Sequence, residues 1–261
     1  MIARDVAALP RLPKHLSVVL SLPPDQKDVS LLLNRLDGLM HDACEIAAWS
    51  TAAGIPVLSI YERSGTKQAF HPKSREIQQK RSNKRYPNKQ TNSTPTGLLK
   101  SSLTHLHRRI ETSLTAYYGS SPLKPTFSLR APNIPSYEPP ATTTNGTNPR
   151  PHLTILLLDA TDGRQTLVDL TKTLTDMSQS HKLRPADISQ ELIDAEISES
   201  VMSEPDLLLL FGDKAVLEGY PPWQVRLTEI FALRDWTGGV GYHVFLRGLR
   251  KYGGAEMRFG R

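Results

Sequence analysis

Leu16-Ser17-Val18-Val19-Leu20, the helical pattern from Val29 to Ala53, and Ile55-Pro56-Val57-Leu58-Ser59-Ile60-Tyr61 together decide the fold. The first and third are short aliphatic runs, which suit strands covered on both faces. Gly54 closes the helix between them. Two short strands joined through a helix pair in parallel with a right-handed crossover. The chain therefore opens as β-α-β.

Working outward, the C-terminal part repeats this texture. Leu153 to Leu158 reads as a strand, Asp162-Gly163 as a turn, and Gln165 to Ser180 as an amphipathic helix. A helix from Asp187 to Val201 leads into Leu207-Leu208-Leu209-Leu210-Phe211, an unalternating run that suits a central strand. Pro222 to Leu233 and Val240 to Tyr252 read as closing helices, the first with proline where its missing N–H does no harm.

The middle differs. Lys67, Lys73, Arg75, Lys80, Arg81, Lys84, Arg85 and Lys89 are opposed in their stretch only by Glu76, so most of the formal charge of +6 sits there. Without interleaved aromatic residues such a run suits a solvated insertion better than a nucleic-acid surface, and no nucleic-acid partner is expected. A helix is expected from Gly97 to Tyr118, and Thr126 to Leu129 fits either strand or loop. Ser136 to Pro151, with Pro139-Pro140 and the polar run Thr142 to Asn148, buries too little surface to offset its ordering entropy. This gives one domain over 14–261, interrupted by a basic, polar insertion at about 64–96 and a disordered loop at about 136–151.

One cysteine, Cys44, leaves no intramolecular disulfide and no cysteine-based zinc site. No run approaches the roughly 20 apolar residues of a membrane span, and Met1 to Leu12 has no signal-peptide core.

The candidate chemistry is sparse. Asp159, Asp162 and Asp169 are close in sequence, but Asp162-Gly163 is a common turn pair and Asp169 falls on a polar helix face. His15 and His152 precede strands without a nucleophile motif and read as solvated or capping residues. His105 and His107, beside Arg108 and Arg109, read as a solvated helix face. The chain ends in Glu256-Met257-Arg258-Phe259-Gly260-Arg261. An arginine there is able to bind phosphate bidentately, and a glycine lets backbone approach it.

Several blocks together resemble the cis-prenyltransferase family: His15 to Leu20, Trp49 with Gly54 to Tyr61, Glu204-Pro205-Asp206-Leu207-Leu208, Trp223-Gln224 with Glu229-Ile230-Phe231, and Arg258-Phe259-Gly260. The resemblance spans about residues 14 to 62 and 152 to 261. It implies an α/β fold, a six-stranded, mainly parallel sheet surrounded by helices, in a protein that dimerises. It also implies condensation of isopentenyl diphosphate onto an allylic diphosphate, with Mg²⁺ held on an aspartate after the first strand.

This sequence departs from that pattern where the chemistry is done. Ser21 stands at the metal-binding aspartate's place and brings no negative charge to hold Mg²⁺. Leu210 and Val216 stand where the family's two arginines follow Glu-Pro-Asp-Leu-Leu, and Glu218 replaces a serine. Losing metal and phosphate clamps while keeping Arg-x-Gly is similar to the family's accessory subunits, the Nogo-B receptor type, which pair with the catalytic subunit of eukaryotic dehydrodolichyl diphosphate synthase. Tyr220 to Gln224 and Leu227 to Ile230 resemble that branch too.

By that analogy the partner is a catalytic cis-prenyltransferase subunit that binds the Mg²⁺. Arg258 and the Gly260 backbone reach isopentenyl diphosphate in the partner's site. Trp223, Trp236 and Tyr242 are candidate interface anchors, whereas Phe231 and Phe245 read as core. The resemblance places the complex on the cytosolic face of the endoplasmic reticulum membrane, held through the complex or an N-terminal anchor missing from this chain. An active homodimeric prenyltransferase and an adaptor or receptor without a role in prenyl transfer are the alternatives.

Overall fold

The computed structural model describes residues 2–20, 29–62, 97–119, 121, 124–134, 152–211, 215–217, 219–233 and 240–256. Both expected interruptions, 64–96 and 136–151, lie outside them. In chain order the elements are α1 (Ile2–Ala7), β1 (His15–Leu20), α2 (Val29–Ala53), β2 (Val57–Glu62), α3 (Leu98–Ser101) and α4 (Leu103–Tyr118). There follow β3 (Thr126–Arg130), β4 (His152–Leu158), α5 (Arg164–Gln179), α6 (Gln190–Ser200), β5 (Leu207–Phe211), β6 (Glu229–Ala232) and α7 (Tyr242–Gly254).

The strands form a six-stranded sheet in the order β3-β4-β2-β1-β5-β6. Every described pairing is parallel, from Thr126 opposite His152 at one edge to Leu207 opposite Glu229 at the other. The apolar runs explain the order. All residues of β1 and β5 are buried, so both strands lie at the centre with both faces covered.

Side chains alternate between the faces. Leu16, Val18 and Leu20 of β1 with Leu207, Leu209 and Phe211 of β5 join the larger core. There they meet Met40, Ile46 and Trp49 of α2, Leu106 and Ile110 of α4, and Phe245 and Leu249 of α7. Val19, Leu208 and Leu210 point the other way, into a smaller cluster with Tyr61, Leu158, Val201, Met202 and Tyr220. Each such leucine contributes about 1.5–3 kcal/mol by leaving water.

Gly54 adopts φ +78°, a left-handed conformation that ends α2 where the sequence placed its stop. Phe245 is core as read, and Phe231 packs half-buried against it. Thr126 to Arg130 resolves as a strand.

Three expected helices differ. Gly97 to Tyr118 breaks at Ser102 (φ −122°, ψ 28°) into α3 and α4. The helix expected from Asp187 starts later, with the Ser189 side chain accepting from the Leu192 N–H as its N-cap. Pro222 to Leu233 is a single 3₁₀ turn, Pro222–Val225, followed by β6. Thr228 fixes that change: its hydroxyl donates to the carbonyl of Pro205, 2.7 Å away, and draws the next residues alongside β5. Helix α1, which apolar periodicity did not bring out, packs Val6 into the larger core.

Candidate functional site at the carboxyl edge of the sheet

Ligands of a parallel sheet collect beyond the carboxyl ends of its strands, where neighbouring connections part. Here that point lies between β1, which continues to β2 on one side, and β5, which continues to β6 on the other. Leu20 pairs with Phe211 at its floor. Ser21 and Glu218 lie outside the described residues. Leu210 sits beside Val19, 4% exposed in the smaller apolar cluster. It fills space there and offers no phosphate a charge. Val216 is exposed.

Next to this point the sequence hides a buried ionic cluster. Glu62 ends β2, and its two oxygens accept from the Leu98 and Leu99 N–H groups at 3.0 and 2.7 Å. Asp159 follows β4. It accepts from the Gly97 N–H at 2.8 Å with one oxygen and from the Thr161 N–H at 2.8 Å with the other. Asp162 accepts from the Asp159 N–H at 2.8 Å and from the Lys100 ammonium, which lies 3.5 Å from Asp159. The carboxylates thus bind the first turn of α3 to the strand ends.

Burial raises the pKa of Glu62, and it pushes Asp162 up to about 6. Burial acts on Asp159 in the same sense, but the Thr161 hydroxyl, Lys100 and the Gly97 N–H outweigh it and hold its carboxyl below the usual range. Mg²⁺ needs carboxylate oxygens open to waters and phosphates. These are sealed from solvent, and all their oxygens but the buried Asp162 Oδ1 accept from N–H groups, a hydroxyl or an ammonium, so they do not fit the ion. Among the described residues no group of His, Cys, Asp and Glu side chains converges as a metal site.

Asp162-Gly163 does close a short turn, as read, yet Asp162 is buried with Asp159, whereas Asp169 is a surface residue paired with Lys172. Glu62 and Lys100 had passed unnoticed. A carboxylate directly after Leu58-Ser59-Ile60-Tyr61 was the signal for the first.

His15 is buried, which corrects the solvated or capping reading. It lies at the amino end of β1, opposite the end at Leu20, and its Nε2 meets Ser59 Oγ at 2.5 Å. Burial lowers its pKa to about 4, against the raising influence of Asp206. His152 bridges Thr126 and Ser128 on the adjacent strand. His107 corrects the solvated-face reading: it is buried and stacked on Phe127 with ring centroids 4.6 Å apart. Its neighbour His105 is exposed.

Arg258, Gly260 and Trp236 lie outside the described residues. Trp223 and Tyr242 are not brought together. Trp223 donates to Asp194 of α6 at 2.9 Å, on the side of the smaller cluster. Tyr242 packs in the larger-core layer, 5.6 Å from Trp49, and its hydroxyl donates to Asp5 at 2.9 Å.

Dehydrodolichyl diphosphate synthase complex subunit nus1 of Schizosaccharomyces pombe is 31% identical over 260 residues, covering 100% of this chain and 81% of the relative. The chain belongs to this NUS1 family. The Saccharomyces cerevisiae NUS1 subunit is 30% identical over 273 residues, and the chain, matched over 100% of its length, spans 63% of that relative. No family model matches. Among solved structures, lavandulyl diphosphate synthase from Lavandula x intermedia, in complex with dimethylallyl diphosphate, is 17% identical. It covers 96% of this chain and 99% of its own, with a TM-score of 0.49. Within the NUS1 family frame, the described strand ends next to the crevice carry the buried Leu210 and the sealed carboxylates, while Arg130, which ends the edge strand β3, is exposed.

Proposed function

We infer that this chain is the non-catalytic subunit of a heteromeric dehydrodolichyl diphosphate synthase. What carries this reading is its similarity, over its full length, to relatives named as subunits of that complex. The apolar burial of Leu210 supports the non-catalytic half of the statement. The Mg²⁺ and the allylic diphosphate belong to the catalytic partner.

In this reading the chain supports the complex in elongating farnesyl diphosphate with isopentenyl diphosphate, in dolichol synthesis and the protein glycosylation that depends on it. Arg258 binds the diphosphate of isopentenyl diphosphate across the interface, with the Gly260 backbone beside it. Charge-assisted contacts that orient a reacting group in a partly dry site contribute more to the transition state than they would in water.

The surface proposed for the partner runs from α6 to the edge strand β6. Asp194 of α6 holds both Trp223 and Arg226. Leu227 and Ile230, which follow, are 60% and 38% exposed. An edge strand carrying exposed apolar side chains is a surface that a partner covers. Tyr242, on the other layer, falls outside it.

The cytosolic face of the endoplasmic reticulum membrane is the proposed location, on family grounds. No helix among the described residues is long and apolar enough to cross a membrane; attachment through the complex and attachment through an N-terminal anchor outside this sequence both belong to this reading.

The test is Arg258→His in a complex reconstituted with a catalytic cis-prenyltransferase subunit. The expected result is about a 10²-fold fall in turnover with assembly unchanged. Unchanged turnover would remove the tail from the mechanism.

A further inference from the structure

Helix α7 ends in a clamp supplied from the other end of the chain. Arg11, in the segment between α1 and β1, donates through Nε to the Tyr252 carbonyl at 3.1 Å and through Nη2 to the same carbonyl at 2.9 Å. Nη2 also donates to the Ala255 carbonyl at 2.5 Å. The guanidinium lies over the Tyr252 ring, 4.6 Å from its centroid.

Both carbonyls lie at the C-terminus of the helix, where a cation is favoured by the helix dipole; that of Tyr252 also accepts from the Ala255 N–H at 3.2 Å. Between them the backbone turns from helix to extended, with Ala255 at φ −76° and ψ 134°. Gly253 makes the approach possible: a Cβ there would stand 3.3 Å from Pro10 Cδ and 3.4 Å from the Arg11 carbonyl oxygen. On its other side the same helix end is tied to β6, with Lys251 paired to Glu229 at 3.1 Å. One fork of donors therefore fixes both sides of the bend that follows α7, near the edge strand.

We propose that Arg11 is a positioning residue for the C-terminal tail, fixing the point after α7, at Ala255, from which the tail that carries Arg258 is held. The proposal rests on the reading of the tail given above. A guanidinium is suited to this task because its planar fork serves two carbonyls at once, which a single amide or ammonium group does less well. Small misplacements matter in such a site, since about 1 Å of displacement from a remote change is able to cost about 10²-fold in rate.

The test compares Arg11→Gln, Arg258→His and the double variant in the reconstituted complex, with farnesyl diphosphate and radiolabelled isopentenyl diphosphate as probes. Arg11→Gln is expected to lower kcat/KM for isopentenyl diphosphate about 10-fold, leave KM for farnesyl diphosphate within about twofold, and leave the yield of complex unchanged. In the Arg258→His background it is expected to add no further loss, because both act through one contact. Unchanged isopentenyl diphosphate kinetics in Arg11→Gln, or a full additional loss in the double variant, overturns the proposal. If Arg11→Gln does not assemble, Arg11→Lys takes its place: an intermediate loss confined to isopentenyl diphosphate supports the proposal, and failure of both variants to assemble makes Arg11 a folding residue and overturns it. Unchanged turnover in Arg258→His alone sinks the reading of the tail, whatever Arg11 does.

Discussion

Lys100 and Asp162 form an ion pair sealed from solvent, with 3% and 0% of their side chains exposed. The pair holds the start of α3 against the ends of β2 and β4, next to the crevice where a parallel sheet places its ligands. Removing one partner of a buried pair leaves the other charge uncompensated, at a cost of about 3–5 kcal/mol. Lys100→Met is therefore expected to lower unfolding stability by that amount in urea titrations. A loss below about 1 kcal/mol would mean that solvent reaches the cluster.

His15 gives a pH dependence. Its folded-state pKa of about 4 lies below its ordinary value of 6.5, so between those values the unfolded chain binds the extra proton. Stability is then fully present above pH 6.5 and is lost as pH falls toward 4. The loss from this group between pH 7 and pH 5 is about 2 kcal/mol. His15→Gln, which retains a polar partner for Ser59, is expected to flatten this part of the profile. An unchanged slope would assign it to other groups.

Leu210→Arg restores the residue type that the family resemblance expects and puts a charge among Val19, Tyr61, Leu158 and Tyr220. We expect about 3 kcal/mol or more of destabilisation, read from the urea midpoint, and no prenyltransferase activity from the chain alone. A stable variant would show that the side chain finds an exit to the crevice.

The strands were legible because burial on two faces leaves continuous apolar runs such as Leu207 to Phe211, and α2 was legible from its length and the glycine that stops it. Edge strand β6 was not: Glu229-Ile230-Phe231-Ala232 alternates too briefly to be told from a helix turn, and pairing with β5 decides it. The ionic cluster escaped because its members are distant in sequence, Lys100 and Asp162 being 62 residues apart, and each alone resembles a surface charge. His107 escaped for a similar reason, since its stacking partner Phe127 comes from another element. Arg258 and Gly260 entered through family resemblance, because a basic chain end has no pattern of its own.

The proposed partner surface predicts its own variants. Leu227→Glu with Ile230→Glu should weaken binding of the catalytic subunit by about 2 kcal/mol or more, about 30-fold in Kd, while the isolated chain unfolds at an unchanged temperature. Tyr242→Phe, on the opposite layer, should bind normally. Size-exclusion and calorimetric titration measure both, and the reverse pattern would move the interface to α7 and α2.

Prenyl transfer by the purified chain, alone and mixed with a catalytic cis-prenyltransferase subunit, tests the central claim most directly, using Mg²⁺, farnesyl diphosphate and radiolabelled isopentenyl diphosphate. The account predicts no polyprenyl product from the chain alone and, with the partner, product formation well above that of the partner by itself. Robust product from the chain alone, or no gain on mixing, would contradict it.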